Sequence, residues 1–190
     1  WIMPNPGDSG NALGAALAQR NDYVVWKTPY LGTNIPGLYP VDKALDLLLK
    51  GEIFGIASGQ AEYGPRALGN RSLVADPRGS EIKDRVNEIK RRQKFRPFAP
   101  VILEEYVHDY FDIPAKTSPY MQFTGVCKYP DKFPAITHID GTSRVQTVSK
   151  TQNKGLYSLI KAFMDQTGCP MILNTSLNIR GKPMVNTLSL

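Results

Sequence analysis

Apolar residues recur along this 190-residue chain at two spacings, which predict alternating helices and strands. The segment VDKALDLLLKG carries apolar side chains three or four residues apart, the spacing of one helical face: Val41, Ala44, Leu45 and Leu48. Gly51 suits the end of that helix, because glycine readily adopts the left-handed conformation common there. The next segment, EIFGIAS, is short and largely apolar, so it predicts a strand.

The same alternation continues in the second half of the chain. SEIKDRVNEIK and KGLYSLIKAFMDQTG repeat apolar residues at helical spacing, and Gly168 suits the end of the second helix. PVILEE, TSRVQTV and CPMIL predict strands. Helices that alternate with strands favour a mixed α/β (α+β) class, in which helices pack on a twisted mixed sheet.

The first forty residues follow a different pattern. GDSGNALGAALAQR predicts a helix of small residues, and YVVW at Tyr23–Trp26 predicts a strand. The Gly- and Pro-containing segment at Thr28–Pro40 is typical of a linker. We therefore expect the tail of one domain at 1–32, a linker at 33–40 and a second domain at 41–190. Because the chain begins with tryptophan rather than methionine, we expect a piece of a longer protein.

The positive net charge of the chain indicates which kinds of molecule it could bind. The formal charge is +6 and the pI is near 9.3, which suits a nucleotide, phosphate or nucleic acid, although a merely soluble basic surface gives the same totals. No apolar run approaches the ~20 residues that span a bilayer, and WIMPNPGDSG lacks the features of a secretion signal. We therefore expect a cytoplasmic protein with no membrane partner.

Cys127 and Cys169 form no C-x-x-C pair and no metal-binding spacing, which predicts two buried free thiols.

The stretch EYGPRALGNRS places arginine where a helix is expected to begin. Pro65 suits the first helical position, so Arg66 would lie in the first turn, where the helix dipole disfavours a cation. A bound anion would offset that clash, since a helix N-terminus favours negative charge. The alternative is a pair between Arg66 and Glu62.

The stretch KRRQKFRPFAP places five cations within Lys90–Arg96. The negative end of the preceding helix explains one or two of them. A solvated surface is the alternative to a ligand site. We expect Phe95 and Phe98 to anchor the segment to the core and to direct Arg96 inward.

Two further stretches add polar residues near predicted strands. In ITHIDGTSRVQTV, Asp140-Gly141 predicts a tight turn between two strands, and Arg144 and Gln146 alternate onto one face. His138, next to the turn, is interpreted as structural more readily than as a base. In LNTSLN an apolar strand ends in four hydrogen-bonding side chains, which suits a ligand site or a self-stabilised polar turn: Asn174, Thr175, Ser176 and Asn178. Together the four stretches predict one pocket for a polyanion, as phosphoryl or nucleotidyl transfer requires.

These stretches carry a family resemblance. EYGPRALGNRSLVADPR, KFRPFAPVI, THIDGTSRVQTV and LNTSLNIRGKPMV resemble the C-terminal region of the O-carbamoyltransferases that include NodU and antibiotic carbamoylases, over about residues 51–187. PNPGDSGNALGAAL is similar to the end of their preceding domain, which has an actin-like ATPase fold. The resemblance implies a two-domain enzyme whose C-terminal part has a YrdC-like fold.

The resemblance also implies cofactors and site residues. In that family this region uses carbamoyl phosphate and ATP, with a divalent metal ion, to make carbamoyl-adenylate, and the N-terminal domain uses iron in transfer to an acceptor hydroxyl compound. The matching motifs imply three catalytic residues, Lys90, Arg144 and Ser176. They imply eight ligands of ATP or carbamoyl phosphate, Arg66, Arg71, Arg92, Arg96, His138, Gln146, Asn174 and Asn178. Asp8 matches a metal ligand whose partners would lie in the full-length protein.

The resemblance further implies a role for several of these side chains. Arg66 and Arg144 are expected to hold phosphate oxygens, and Lys90 to neutralise charge that develops during adenylation. Asn174 and Ser176 are expected to hydrogen-bond the carbamoyl or phosphate groups.

The chain departs from the family pattern at two places. Leu177 stands where members usually have Phe, an apolar replacement, and the chain stops before the usual final segment. We therefore expect this chain to bind or activate substrate without completing the transfer. Two other hypotheses stay open: a basic RNA-binding module, which we disfavour because no aromatic stacking platform is evident, and an inactive scaffold.

Overall fold

The structure, a computed structural model, describes residues 7–20 and 25–187. Its helices are α1 (Asp8–Leu17), α2 (Val41–Leu49), α3 (Ile82–Ile89), α4 (Val107–Tyr110) and α5 (Lys154–Thr167), with a short 3-10 turn at Glu104–Tyr106. Its strands are β1 (Tyr30–Ile35), β2 (Phe54–Ala57), β3 (Gly59–Glu62), β4 (Arg71–Ala75), β5 (Ala99–Leu103), β6 (Phe111–Asp112), β7 (Phe123–Cys127), β8 (Thr142–Val148) and β9 (Met171–Ser176).

Seven of the strands form one mixed sheet, in the order β2-β4-β9-β5-β8-β7-β6. β5 and β8 pair in parallel, and the other neighbours pair antiparallel. β1 and β3 form a separate two-stranded antiparallel sheet. This architecture confirms the predicted α/β class. It also places β9 between β4 and β5, so the polar residues that end β9 emerge beside both neighbours.

Helix α5 packs on the sheet and against α2. Its buried residues follow the spacing found in the sequence: Leu156, Leu159, Ile160 and Phe163. Asn153 begins the helix, because its Oδ1 accepts a hydrogen bond from the N–H of Leu156 at 3.0 Å. Gly168 ends it with a φ of 72°. This packing closes the apolar side of the sheet.

Most segments predicted from spacing take the predicted form. Helices α1, α2, α3 and α5 and strands β2, β5, β8 and β9 fall where the sequence places them. Cys127 and Cys169 are buried free thiols, as predicted. In the part of the chain that the structure describes, no helix has the length and apolar character needed to cross a membrane.

The N-terminal region differs from the sequence prediction. The strand predicted at Tyr23–Trp26 falls partly outside the described residues, and its described part, 25–26, is not a strand. The segment Thr28–Pro40, predicted as a linker, contains β1, which pairs with β3. Part of the predicted linker is therefore a strand of the two-stranded sheet rather than a structureless connection. The boundaries proposed at 32/33 and 40/41 stay predictions.

The helix predicted after Glu62 is absent from the structure, so the placement of Arg66 in a helical first turn is wrong. Residues 63–70 form a loop instead, in which Gly64 and Gly69 have φ values of 115° and 116°. The Glu62 carboxylate holds the loop closed. Its Oε1 accepts hydrogen bonds from the backbone N–H groups of Leu68, Asn70 and Arg71 at 2.7, 2.7 and 3.2 Å.

The Asp140-Gly141 turn is also only partly as predicted. The N–H of Gly141 donates to the carbonyl oxygen of His138 at 3.0 Å, which closes a turn directly before β8. The antiparallel partner of β8 is β7, which ends at Cys127, well before the turn. The turn therefore ends the connection from β7 to β8 but does not by itself form a tight hairpin between them.

Candidate functional site

A cavity of about 130 Å³ lies where β5, β8 and β9 come together, and we call it the inner cavity. All four stretches singled out in the sequence line it, together with Met121. Its polar or charged lining residues are Arg66, Arg92, Arg144, Asn174, Thr175 and Ser176. The convergence predicted for Arg144 and Asn174 is therefore present in the structure.

Two larger cavities adjoin the inner cavity, because Arg92 lines all three. The front cavity, of about 400 Å³, is lined by Arg66, Arg92, Phe95, Arg96, His138 and Arg144 among others. The side cavity, of about 410 Å³, is lined by Lys90, Arg92, Arg96, Ser176, Asn178 and Arg180 among others. We call the three together the basic cleft.

Arg66 and Arg144 place two positive charges at the inner and front cavities. Among the described residues, no carboxylate forms an ion pair with either guanidinium. Burial lowers the pKa of Arg144, and the nearby charge of Arg66 lowers it further. The predicted alternative, a pair between Arg66 and Glu62, is not formed; Glu62 is buried, and its Oε1 accepts backbone N–H groups. Two like charges without a counter-charge favour a bound anion.

Arg92 is held in one orientation at the centre of the basic cleft. Its Nε donates to Asn87 Oδ1 at 2.5 Å, and its guanidinium carbon lies 4.4 Å from the centre of the Phe98 ring. Burial, and secondly the neighbouring charges of Arg96 and Arg144, lower the pKa of Arg92 to about 10. The remaining guanidinium edge is thus positioned before any ligand arrives.

Lys90 joins the end of α3 to the turn that follows β9. Its Nζ donates to the carbonyl oxygens of Ser176 at 2.6 Å and Asn178 at 2.9 Å, and to Asn178 Oδ1 at 3.0 Å. Burial, and secondly the charge of Arg92, lower the pKa of Lys90 to about 8. Three donors of an ammonium group are thus satisfied within the protein. Lys90 positions the turn, and its charge adds to the potential of the side cavity.

Asn174 and Gln146 form a hydrogen-bonded pair beneath the inner cavity. Asn174 Nδ2 donates to Gln146 Oε1 at 2.7 Å and to the carbonyl oxygen of Ala67 at 3.1 Å. Gln146 Nε2 donates to the carbonyl oxygen of Leu68 at 3.2 Å. Gln146, predicted as a ligand, therefore supports Asn174 and does not line the inner cavity.

Arg71 lies apart from the other basic side chains, contrary to its predicted place among the ligands. It is fully buried, and its guanidinium donates to the backbone carbonyl oxygens of five residues. These acceptors belong to Thr33, Ser58, Gly59, Asn70 and Asn186. With its donors used in this way, Arg71 joins the two-stranded sheet to β4 and to the C-terminal segment.

The remaining predicted residues lie around the basic cleft. His138 Nδ1 lies 3.2 Å from Thr142 Oγ1, and the ring lines the front cavity. Ser176 Oγ donates to Asn178 Oδ1 at 2.7 Å, so both residues belong to the turn that Lys90 holds. Phe98 is buried as predicted, but Phe95 is 75% exposed, so its predicted role as a core anchor is wrong.

One basic residue of the basic cleft escaped the sequence prediction. Arg180 lines the side cavity. The backbone N–H of Arg180 donates to the carbonyl oxygen of Lys90 at 3.0 Å, which brings the two segments together. Nothing in the sequence around Arg180 indicates that contact. Thr175, one of the polar residues noted at the end of the strand, lines the inner cavity.

Asp8 lies exposed in the first turn of α1. Over residues 7–20 and 25–187, no group of three or more His, Cys, Asp or Glu side chains is arranged to hold a metal ion. Asp8 alone therefore does not make an iron site, and its predicted metal role depends on residues beyond those described.

Known proteins give matches over the whole chain. Residues 45–189 match the family model described as Carbamoyltransferase C-terminus. The chain is 44% identical over 221 residues to nodulation protein NolO of Bradyrhizobium diazoefficiens. It is 36% identical over 221 residues to nodulation protein NolNO, and 37% identical over 198 residues to nodulation protein U, both of Sinorhizobium fredii. These matches cover 100%, 100% and 96% of this chain but only 40%, 32% and 35% of the relatives.

Proposed function

Because the chain belongs to the carbamoyltransferase C-terminus family, we propose that its basic cleft binds carbamoyl phosphate and ATP and forms carbamoyl-adenylate. The single observation that carries this proposal is the pair of guanidinium groups, Arg66 and Arg144, that share a cavity with Asn174 and form no ion pair with a carboxylate of the described residues. A guanidinium fork suits phosphate oxygens, since it donates two parallel hydrogen bonds.

The cavities differ in size, which suits the binding of the carbamoyl group in one and of the nucleotide in the others. The inner cavity of about 130 Å³ is small, which suits the carbamoyl group beside Asn174. The front and side cavities, of about 400 and 410 Å³, lie in the range of small-molecule sites and suit the nucleotide. Arg92 borders all three, so its charge would lie between the two ligands.

The proposed reaction balances when one water is consumed. Water cleaves carbamoyl phosphate to carbamate and phosphate, and a carbamate oxygen then attacks the α-phosphorus of ATP. The bond from the α-phosphorus to the bridging oxygen breaks, which gives carbamoyl-adenylate and pyrophosphate. The protein's part is positioning and neutralisation of charge that shifts onto phosphate oxygens. In this proposal Arg66, Arg92 and Arg144 supply that neutralisation.

Metal ions enter this proposal only with ATP. A divalent ion of the magnesium type is commonly held by substrate phosphates with few protein ligands, and the described residues offer no acidic cluster for it. Iron and the acceptor hydroxyl compound belong to the longer relatives' chemistry in our proposal. No step assigned to this chain depends on them.

Isothermal titration of ATP and of carbamoyl phosphate into the 190-residue chain tests the proposal. We expect Arg144→Ala to weaken ATP binding by about 2 kcal/mol, roughly 30-fold, because a charged hydrogen bond is lost. The matched control is Arg85→Ala, which removes the same charge from an exposed position on α3 outside the basic cleft.

The outcomes separate the hypotheses. Equal ATP affinity in Arg144→Ala and Arg85→Ala would overturn the site assignment. Release of pyrophosphate that requires both carbamoyl phosphate and ATP would exclude the inactive scaffold. Tight binding of single-stranded RNA that ATP does not displace would favour the RNA-binding module instead.

A further inference from the structure

Two buried polar atoms without hydrogen-bond partners belong to residues of the inner cavity. Over the described residues, four buried side-chain nitrogen or oxygen atoms have no partner, and two of the four are Arg144 Nε and Asn174 Oδ1. Both residues line the inner cavity, and Asn174 is only 1% exposed. Buried polar groups are nearly always satisfied in folded proteins, so a donor and an acceptor left over at one cavity indicate a ligand that pairs with both.

The orientation of the Asn174 amide follows from its neighbours. The carbonyl oxygen of Leu68 can only accept, so Gln146 must present its Nε2 there and its Oε1 to Asn174. Asn174 must then direct its Nδ2 to Gln146 Oε1 and to the carbonyl oxygen of Ala67. Rotating either amide would place oxygen against oxygen. The unpaired atom of Asn174 is therefore its oxygen, an acceptor. This assignment follows from backbone carbonyl oxygens, which can only accept.

The two unpaired atoms, one donor and one acceptor, are complementary to an amide group. Arg144 Nε requires an acceptor, and Asn174 Oδ1 requires a donor. A carbamoyl group supplies both from one carbon, a carbonyl oxygen and an NH₂ group. Acyl phosphates such as acetyl phosphate are dianions at neutral pH and supply acceptors only, so they leave Asn174 Oδ1 unsatisfied.

We propose that Asn174 selects carbamoyl phosphate over acyl phosphates of the same size by accepting a hydrogen bond from the carbamoyl NH₂, while Arg144 Nε donates to the carbonyl oxygen. This inference rests on the proposed function, since it assigns the chemistry of the small ligand at the same cleft. It makes Asn174 a specificity-determining residue and Gln146 the residue that positions it.

Acetyl phosphate is the probe that isolates this contact, because a methyl group replaces NH₂ at almost equal size. We expect isothermal titration to show that the unmodified chain binds carbamoyl phosphate roughly 10- to 100-fold more tightly than acetyl phosphate, as expected when a buried acceptor loses its donor. Asn174→Leu keeps the size and removes the acceptor. In that variant the ratio of the two dissociation constants should fall to within about twofold.

The control is Asn11→Leu, the same substitution at an exposed position of α1, which should keep the preference. Equal binding of carbamoyl and acetyl phosphate by the unmodified chain would overturn the inference but leave the anion cleft intact, and this result needs no variant to fold. A preference that survives in folded Asn174→Leu would also overturn it. Failure of carbamoyl phosphate, acetyl phosphate and inorganic phosphate alike to bind would instead overturn the proposed function.

Discussion

At the scale of single residues, Lys90 affects the basic cleft from a buried position. It is 5% exposed, and its ammonium group faces the oxygens of the turn after β9. Burial is the largest cause of its lowered pKa, and the charge of Arg92 is the second. The side cavity therefore loses positive charge at a pH where an exposed lysine would keep it.

We predict that ATP affinity falls as pH rises through about 8, where Lys90 in the free protein loses its proton. Below that pH the ammonium charge attracts the triphosphate, and bound anion favours the charged form, so deprotonation weakens binding. The affinity for ATP should fall about threefold to tenfold between pH 7.5 and 9.5. This is near the effect expected when one charge is lost at a partly solvated site. ATP itself keeps its charge over this range. Titration calorimetry measures the effect.

Lys90→Met is the variant that tests the assignment. It removes the titrating group and retains a long apolar stem, so its ATP affinity should be lower at pH 7.5 and should change much less with pH up to about 9, below the pKa of about 10 of Arg92. If the variant retains the full pH dependence of the unmodified chain, another group is responsible. Circular dichroism at both pH values checks that the fold is kept.

Residue roles were only partly predictable from the sequence. Arg66 and Arg71 occur in the same stretch with the same chemistry, yet Arg66 lines the inner cavity and Arg71 is buried among carbonyl oxygens. The difference depends on Thr33 and Asn186, which lie far from Arg71 in the chain. No local pattern carries that information. The motif therefore located the site but did not separate ligand groups from structural ones.

At the scale of elements, the helices and strands that were predicted correctly are those with a clear apolar period. Helix α5 shows every third or fourth residue buried, and β5 is buried throughout. The failure at Pro65 occurs where a side-chain acceptor replaces the backbone acceptors of a helix. In the loop at 63–70 the N–H groups of Leu68 and Asn70 donate to the Glu62 carboxylate, and no helix begins at Pro65.

The first turn of α5 shows competition between helix propensity and packing. Alanine is favoured over glycine in a helix by about 1 kcal/mol. A Cβ at Gly155, however, would lie 2.2 Å from Tyr39 Cγ, and the Tyr39 hydroxyl is held by the carbonyl oxygen of Gly69 at 3.0 Å. The Tyr39 ring cannot move without breaking that bond.

We predict that Gly155→Ala lowers the free energy of unfolding by about 1–3 kcal/mol, since overpacking exceeds the gain in propensity. Chemical denaturation monitored by circular dichroism measures this change. Gly14→Ala is the matched control in α1, where a Cβ meets nothing within 4 Å, and it should be neutral or slightly stabilising. Equal or greater stability of Gly155→Ala would contradict the packing described for Tyr39.

At the scale of the whole molecule, the net charge of +6 does not by itself define a binding surface. Arg78 and several lysines of the described chain are paired with carboxylates, whereas Arg66 and Arg144 in the basic cleft are not. Positive potential is therefore concentrated at the cavities. Ligand affinity should depend on these few charges more than on the total.

We predict that the dissociation constant for ATP rises with sodium chloride, since the screening length falls from ~10 Å at 0.1 M to ~3 Å at 1 M. The salt dependence should be smaller in Arg66→Ala, because an exposed cation of the cleft has been removed. Arg85→Ala should keep the dependence of the unmodified chain. An identical salt dependence in both variants would show that the overall charge, rather than the basic cleft, attracts the nucleotide.

Arg71 has a consequence for the order in which the chain assembles. Its guanidinium contacts carbonyl oxygens 38 residues before it and 115 residues after it, so those contacts close long loops. Closing long loops costs entropy before any contact compensates for it, which favours late formation. We therefore expect Arg71→Met to accelerate unfolding while leaving the refolding rate nearly unchanged, as stopped-flow kinetics in denaturant can measure. A slower refolding rate would instead place this arginine in the folding nucleus.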